Sequence, residues 1–316
     1  MGTATTVPQT IDVTGDAPLR TLGGVGWARL IRNSIVRFRA GDGISHARSL
    51  AFQVTLTMIP ALIAGVGLAS VLDQDSVRHT MREVLAGLAP GQSQQIIAQA
   101  FQQGSESGTN ALLAGLGAAL LSGTTAMAQV ERGANRLYGL DGDRPWVQRY
   151  ARALALAVTA GLLIAAGFVL LVVGRTVAEA GEAAAGWNDT VLTVWRVGRW
   201  PVGVIAVLVA FSLLFRFAPD RRQPPASRLA IGSAVAVVLW AAGSGLLGLY
   251  LTATSTFEAT YGQLAGMVGV LLWALLTSVA VFFGLAVAAQ IEAERAGVAT
   301  PSTEDQEVDS VPAGLR

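Results

Sequence analysis

The stretch 49-SLAFQVTLTMIPALIAGVGLASVL-72 decides the fold class of this chain. It contains no charged residue, and it exceeds the roughly 20 predominantly apolar residues that a helix needs to cross a bilayer. The stretch therefore predicts a transmembrane helix. Its first half also carries Gln53, Thr57 and Pro60, which are polar or interrupt a helix. Such residues either line a path through the protein or hold neighbouring helices together.

Six runs of this kind occur, at about 50–72, 110–129, 153–174, 201–217, 229–251 and 264–289. The whole chain is 52% hydrophobic and only 14% charged, whereas a soluble domain is about 25% charged. The composition predicts an all-α integral membrane protein with six transmembrane helices, an N-terminal amphipathic helix and short extracytoplasmic helices. We expect the membrane domain to span residues 23–291.

Arginine is distributed unevenly between the two sides of the predicted membrane domain. All 22 basic residues are arginine. Seventeen of these 22 precede the first span, follow the sixth, or lie between spans two and three or four and five. Cytoplasmic loops carry the excess of Arg and Lys. The pattern predicts a multi-pass protein with both termini in the cytoplasm.

Outside the spans, the composition changes at both ends of the chain. Residues 1–22 are polar and rich in Thr, Gly and Pro, and residues 292–316 are acidic. We expect both to be disordered tails. The loops 73–109 and 175–200 show apolar residues at helical spacing, which predicts short helices on the outer surface.

An amphipathic helix is predicted just before the first span. At 100° per residue its apolar face combines Trp27, Leu30, Ile31, Ile35 and Phe38, and the opposite face combines Arg29, Arg32, Asn33 and Arg39. Such a helix suits the cytoplasmic membrane interface. The alternative is a helix that docks on the cytoplasmic loops.

Motifs of enzymes are absent from the sequence. There is no cysteine, only His46 and His79 are histidines, and no HExxH, GxSxG or phosphate-binding glycine loop occurs. A metal-dependent nuclease or hydrolase needs several convergent His and carboxylate ligands. We therefore expect no enzymatic activity, no cofactor, no metal and no nucleic-acid partner.

One charged segment follows the second span, in 129-QVERGANRLYGLDGDRP-145. Glu131, Arg132, Asn135 and Arg136 form a candidate cytoplasmic polar site, either a charged gate or a site for a lipid headgroup. In the alternative interpretation this is a helix end whose arginines face lipid phosphates while Glu131 pairs locally. Glu292, after the sixth span, is a further acidic candidate.

Small and polar residues line one face of spans one, two and six. These candidates are Gln53, Thr57 and Pro60 in span one, Ser122, Thr125 and Gln129 in span two, and Tyr261, Gly262, Gly266, Trp273 and Thr277 around span six. Such stripes let helices approach closely and exchange hydrogen bonds in lipid. They could equally line a polar path, and the sequence leaves the two alternatives open.

Three segments together resemble one bacterial family. "AFQVTLTMIPALI", "VERGANRLYGLDGDRP" and "YGQLAGMVGVLLWALLTSVAVFFG" are similar to the YihY/virulence factor BrkB family of inner-membrane proteins, and closest to its YhjD-like members. The resemblance covers about residues 30–290. It implies six spans in the bacterial cytoplasmic membrane and an envelope function. Some relatives carry an older ribonuclease label, which the absence of metal ligands argues against.

These observations lead to two functional hypotheses. The first is transport or handling of a lipid-like, amphiphilic envelope component without ATP hydrolysis by this chain, with membrane lipids as partners. The alternative is a non-transporting scaffold that recruits envelope proteins through its outer helices. The glycine-rich stripes also permit a homo-oligomer.

Overall fold

The computed structural model describes residues 3–9, 26–71, 108–140, 142, 144–168, 170, 188–224, 226–253, 257, 260–298 and 300–304. These residues form seven α-helices and one short 3-10 turn. The helices are α1 (Trp27–Ala40), α2 (Gly43–Val71), α3 (Gly108–Leu137), α4 (Trp146–Phe168), α5 (Asp189–Phe217), α6 (Ala226–Ala253) and α7 (Ala265–Arg295). Helices α2 to α7 are each long and apolar enough to cross a membrane. The predicted all-α, six-span fold is confirmed.

Several helices run beyond the predicted spans. The largest difference concerns α5, because the prediction began the fourth span at 201 and assigned 175–200 to an outer loop. Residues 189–200 instead form the first turns of α5, with the Asn188 side chain accepting a hydrogen bond from the Val191 N–H. The helix continues through Pro201, although proline removes a backbone donor. Other predicted outer helices, in 73–107 and 175–187, lie outside the described residues.

The six long helices form a closed ring. Each packs against the next along the chain, from α2 to α7, and α7 closes the ring against α2. Helix α1 packs mainly on α7. We call the end of the bundle that carries α1 and the α3–α4 and α5–α6 connections the arginine-rich end, and the other the opposite end.

Packing is concentrated towards the arginine-rich end. Every residue of α7 from Ser278 to Ala293 is buried except two half-buried ones. The rings of Phe215 and Phe282 and the side chain of Leu285 are fully buried and fill the space between helices. By contrast, α6 contains no described residue that is buried between Val238 and Ala253.

Two glycines allow the backbones of α6 and α7 to meet. A Cβ atom built on Gly232 would lie 2.6 Å from the carbonyl oxygen of Gly284, and the reverse distance is also 2.6 Å. No side chain fits at such a distance. The close approach therefore depends on glycine at both positions.

Helix α1 combines parts of both alternatives for this segment. It docks on the bundle through Leu30, Asn33, Ser34, Arg37 and Phe38, all of which are buried. The predicted apolar face is therefore divided between a buried part and an exposed part. The buried face of α1 also includes the charged side chain of Arg37. The remaining apolar residues Trp27, Ile31 and Ile35 stay exposed one turn apart. They form an apolar stripe that suits contact with lipid.

Candidate functional site

A layer of buried polar side chains crosses the arginine-rich end. Its members are Arg37, Glu131, Asn135, Arg144, Gln290 and Glu292, which are all buried, together with Arg221. Buried charges in proteins are normally paired because their desolvation is costly. The contacts of this layer therefore determine how the helix ends are held together.

The first group of contacts surrounds Arg144. Its guanidinium lies 3.0 Å from a carboxylate oxygen of Glu131 and 2.8 Å from one of Asp220. It also donates to the backbone carbonyls of Ala218 and Pro219. A single side chain from the α3–α4 connection therefore joins the end of α3 to the α5–α6 connection.

Asn135 reinforces the same junction. Its side-chain oxygen accepts a hydrogen bond of 2.7 Å from the backbone N–H of Asp220. Asn135 lies one helical turn after Glu131 on α3, so both side chains point to the α5–α6 connection. The predicted turn spacing of these two residues thus places them in one network.

The second group surrounds Arg221. Its guanidinium pairs with Glu292 at 2.9 Å and lies 4.8 Å from the centre of the Tyr138 ring. The Tyr138 hydroxyl lies 3.5 Å from the other carboxylate oxygen of Glu292. Burial raises the pKa of the Tyr138 phenol, so the hydroxyl stays protonated and can donate to that carboxylate.

The third group surrounds Arg37 of α1. Its Nε donates to the side-chain oxygen of Gln290 at 2.8 Å, and its Nη1 donates to the carbonyls of Thr5 and Leu137. Burial lowers the pKa of Arg37 to about 10, which leaves the guanidinium charged at neutral pH. Arg37 therefore joins α1 to α3, α7 and the N-terminal segment.

Residues 3–9 form a strap across these groups, which we call the N-terminal strap. Arg221 donates to the carbonyls of Val7 and Pro8, and the Val7 N–H donates to the carbonyl of Tyr138. Ala4 also forms an antiparallel bridge with Ser302. Disorder was expected for 1–22 and 292–316, and the described parts of both segments differ from that expectation. Their small apolar and threonine residues pack and pair instead, and α7 continues to Arg295.

We predict that Arg221→Gln weakens the attachment of the N-terminal strap to the helix bundle. The substitution removes charge-assisted hydrogen bonds to two strap carbonyls, each worth about 1.5–3 kcal/mol. Amide exchange at Val7 should therefore accelerate by about tenfold or more, as measured by hydrogen–deuterium exchange. Arg222→Gln is the control, because Arg222 is exposed beside it. Equal exchange rates in the two variants would contradict the role assigned to Arg221.

The four predicted residues of the polar site divide into two pairs. Glu131 and Asn135 are buried within the layer, whereas Arg132 and Arg136 are exposed. Glu131 pairs with Arg144 rather than with a neighbour on its own helix. The sequence analysis did not single out Arg37, Arg144, Arg221 or Gln290. One indication for Arg37 was available, because this charged residue lies on the otherwise apolar side of α1.

The stripes of spans one and two face each other. The Thr125 hydroxyl donates to the side-chain oxygen of Gln53 at 2.9 Å, and the Gln129 amide lies 3.0 Å from His46 Nδ1. Further along, a Cβ atom on Gly67 would clash with the backbone nitrogen of Leu112. The two stripes are therefore in contact, with the backbones of α2 and α3 close together at Gly67.

Pro60 and its neighbours belong to the same contact. The Pro60 carbonyl lies 3.0 Å from the position of a Cβ atom on Gly115. The Thr57 hydroxyl donates to the carbonyl of Gln53 within α2, and the Ser122 hydroxyl donates to that of Ala118 within α3. In the first span, the Thr57 hydroxyl thus bonds within its own helix, while the Pro60 carbonyl lies against α3.

The candidates around span six are more dispersed. The Trp273 indole donates to the Ser244 hydroxyl at 3.0 Å and so joins α7 to α6. Thr277 is half-buried, and Gly262 and Gly266 are exposed. Tyr261 is exposed and its ring lies 4.8 Å from that of Phe257. Among the described contacts of these candidates, the Trp273 hydrogen bond is the one that joins two membrane helices.

Helices α5 and α6 become more exposed towards the opposite end. The Ser212 hydroxyl of α5 donates to that of Ser233 on α6 at 3.1 Å, and both residues are buried. Two turns away, Ile205 of α5 is 58% exposed and Ala241 of α6 is exposed. Gly248, two turns further along α6, is also exposed. We call this exposed surface, which includes Ile205, Ala241 and Gly248, the α5–α6 surface.

The family of the chain follows from comparison with known proteins. The family model described as "Virulence factor BrkB" matches residues 34–309. The chain belongs to the virulence factor BrkB family. The resemblance found in the three sequence segments is therefore confirmed, and the chain is a multi-pass membrane protein of this family.

Curated relatives carry two kinds of name. The ribonuclease-like protein YfkH of Bacillus subtilis is 25% identical over 78% of this chain and 90% of its own length. UPF0761 membrane proteins of Rhodospirillum centenum and Azoarcus sp. are 28% and 24% identical over 86% and 81% of this chain. The chain spans 59% and 62% of the lengths of these two relatives. No solved structure matches the chain.

The chemistry of the polar layer is that of charge pairing. Its arginines bind carboxylates and backbone carbonyls, which joins helices α1, α3 and α7 to the α3–α4 and α5–α6 connections. Among the residues that the structure describes, no group of three or more His, Asp or Glu residues could hold a metal ion.

Proposed function

We propose that this BrkB family member moves or handles a lipid-like amphiphile in the bacterial cytoplasmic membrane, without hydrolysing ATP itself. The observation that carries the proposal is the α5–α6 surface, where two neighbouring helices lose buried residues towards the opposite end. In this proposal the arginine-rich end is cytoplasmic, following the excess of arginine on that side. The α5–α6 surface then lies in the outer leaflet, where the two helices part to admit the amphiphile.

The asymmetry of packing supports this function. The buried polar layer and the aromatic core close the arginine-rich end, while α5 and α6 are exposed towards the other end. Parting of these two helices would give a membrane lipid access from the bilayer itself. A water-soluble solute would instead need an entrance from the aqueous side.

The residues of the α5–α6 surface fit the apolar part of such a molecule. Ile205, Ala241 and Gly248 are apolar or lack a side chain, and the segments 238–253 and 265–277 contain no Asp, Glu, His or Arg. Carriers that couple transport to protons place an ionisable side chain at this depth. An acyl chain needs no such group, and a headgroup could remain near the membrane surface.

The test uses a chain that has no cysteine, so single cysteines can be labelled selectively. Gly248→Cys places a thiol on the α5–α6 surface, where an added Cβ atom meets nothing within 4 Å. Leu246→Cys is the matched control on the other side of α6, where Leu246 is 68% exposed. Both variants are labelled with a bulky maleimide and reconstituted into vesicles that contain a fluorescent phospholipid.

We predict that the unmodified protein moves the fluorescent lipid between leaflets. Label at 248 should reduce this movement to the rate of protein-free vesicles, and label at 246 should leave it unchanged. No movement by the unmodified protein for any native lipid class would contradict the proposal. The scaffold alternative would then remain. The outer segments 73–107 and 175–187 on which it depends lie outside the described residues.

A further inference from the structure

A basic cavity lies at the arginine-rich end, away from the α5–α6 surface. Its volume is about 350 Å³, and its lining includes Ala4, Arg39, Asp42, His46, Arg136 and Gly139. Pockets for small molecules typically measure roughly 300–1,000 Å³. The cavity is therefore large enough for a small polar group.

Two arginines in this cavity differ from those in the buried layer. Arg39 and Arg136 are exposed, and neither guanidinium has an ion pair or hydrogen bond in the part of the chain that the structure describes. Arg37, Arg144 and Arg221 are all engaged by carboxylates or carbonyls. Asp42, the acidic residue of the lining, is exposed and pairs with neither arginine among the described contacts. The cavity keeps a net positive charge.

His46 also lines the cavity. Its Nδ1 atom lies 3.0 Å from the side-chain nitrogen of Gln129, a contact that joins α2 to α3 beside the cavity. The cavity also borders the start of α2 at Gly43, where the helix dipole favours anions.

The position of the cavity points to the membrane surface. Arg39 follows the exposed stripe Trp27, Ile31 and Ile35 by one further turn of α1. If that stripe contacts lipid, Arg39 lies at the depth of lipid phosphates. Guanidinium groups bind phosphate through paired, charge-assisted hydrogen bonds.

We propose that this cavity is a binding site for a phosphate group, held between Arg39 and Arg136. The phosphate can belong to a lipid headgroup or to a free anion, and the same residues serve both. The site does not depend on the proposed movement of an amphiphile. It would also bind phosphate in a protein that transports nothing.

The test measures binding to the full-length protein in detergent by isothermal titration calorimetry. The probes are inorganic phosphate and a soluble short-chain phosphatidylglycerol. Arg136→Gln should weaken binding by about tenfold or more, as expected for the loss of charge-assisted hydrogen bonds. Arg132→Gln is the matched control, because Arg132 is exposed one turn earlier on α3 and lies outside the cavity lining. Gel filtration of both variants checks folding.

Each outcome either supports or overturns the proposed phosphate site. Binding of phosphatidylglycerol alone, weakened in Arg136→Gln but not in Arg132→Gln, supports the site with a lipid headgroup as its ligand. Binding of inorganic phosphate with the same pattern supports it with a free anion. The proposal is overturned if the unmodified protein binds neither probe, or if both variants lose affinity equally. A protein that moves lipid yet binds neither probe would overturn this site alone.

Discussion

Replacing Arg144 with methionine should lower the free energy of unfolding by about 3–5 kcal/mol, the usual cost of breaking a buried ion pair. Its partner Glu131 is 1% exposed and would lose the cation that pairs with its carboxylate. The carbonyls of Ala218 and Pro219 would also lose their donor. Unfolding of the purified protein in mixed detergent, followed by circular dichroism, measures the loss.

A second substitution separates the ion pair from simple loss of packing. Glu131→Gln in the Arg144→Met background removes the uncompensated charge and should recover much of the stability. Arg152→Met serves as a control for removal of an exposed arginine nearby on α4, and should change little. If the double variant is no more stable than Arg144→Met, the buried carboxylate is not the source of the cost.

Gly115→Ala should destabilise the bundle by about 1–3 kcal/mol, the cost of overpacking a filled contact. An added Cβ atom would lie 2.5 Å from the backbone nitrogen of Ala64 and 3.0 Å from the carbonyl oxygen of Pro60. These are backbone atoms of α2, so the substitution must move one helix relative to the other. The midpoint of thermal unfolding measures the effect.

Gly117→Ala is a matched control in the same helix. An added Cβ atom at Gly117 meets nothing within 4 Å, and alanine is favoured over glycine in a helix by up to about 1 kcal/mol. This variant should be as stable as the unmodified protein or more stable. Equal behaviour of the two variants would mean that α2 and α3 are not in backbone contact at Gly115.

The six membrane helices could be predicted from sequence because their formation depends on local apolar content. Transfer of an apolar segment into lipid is favourable whichever helix becomes its neighbour. The ends of the helices were less predictable. Residues 189–200 carry Arg196 and Arg199, which a hydropathy criterion excludes, yet α5 includes both and continues through Pro201.

The candidate site could be predicted only in part. The spacing of Glu131 and Asn135 indicated that the two side chains share a helix face, which the structure shows. Their contacts with Arg144 and Asp220 join residues far apart in the chain, and no local pattern encodes such a pairing. The N-terminal strap was not predicted, because a short polar segment resembles a disordered tail in sequence. Its carbonyl groups accept hydrogen bonds from Arg37 and Arg221, and these contacts exist only in the tertiary structure.

By itself, the sequence determined the class of this protein, the number of its spans and its family, since apolar runs and motif order are properties of the chain alone. The tertiary structure decided which residues the polar side chains of the first span meet. Gln53 and Pro60 lie against α3 across a glycine-rich seam. It also decided which charges pair in the buried layer, because Arg144, Arg221 and Glu292 lie far from one another in the chain and meet only when the helices pack.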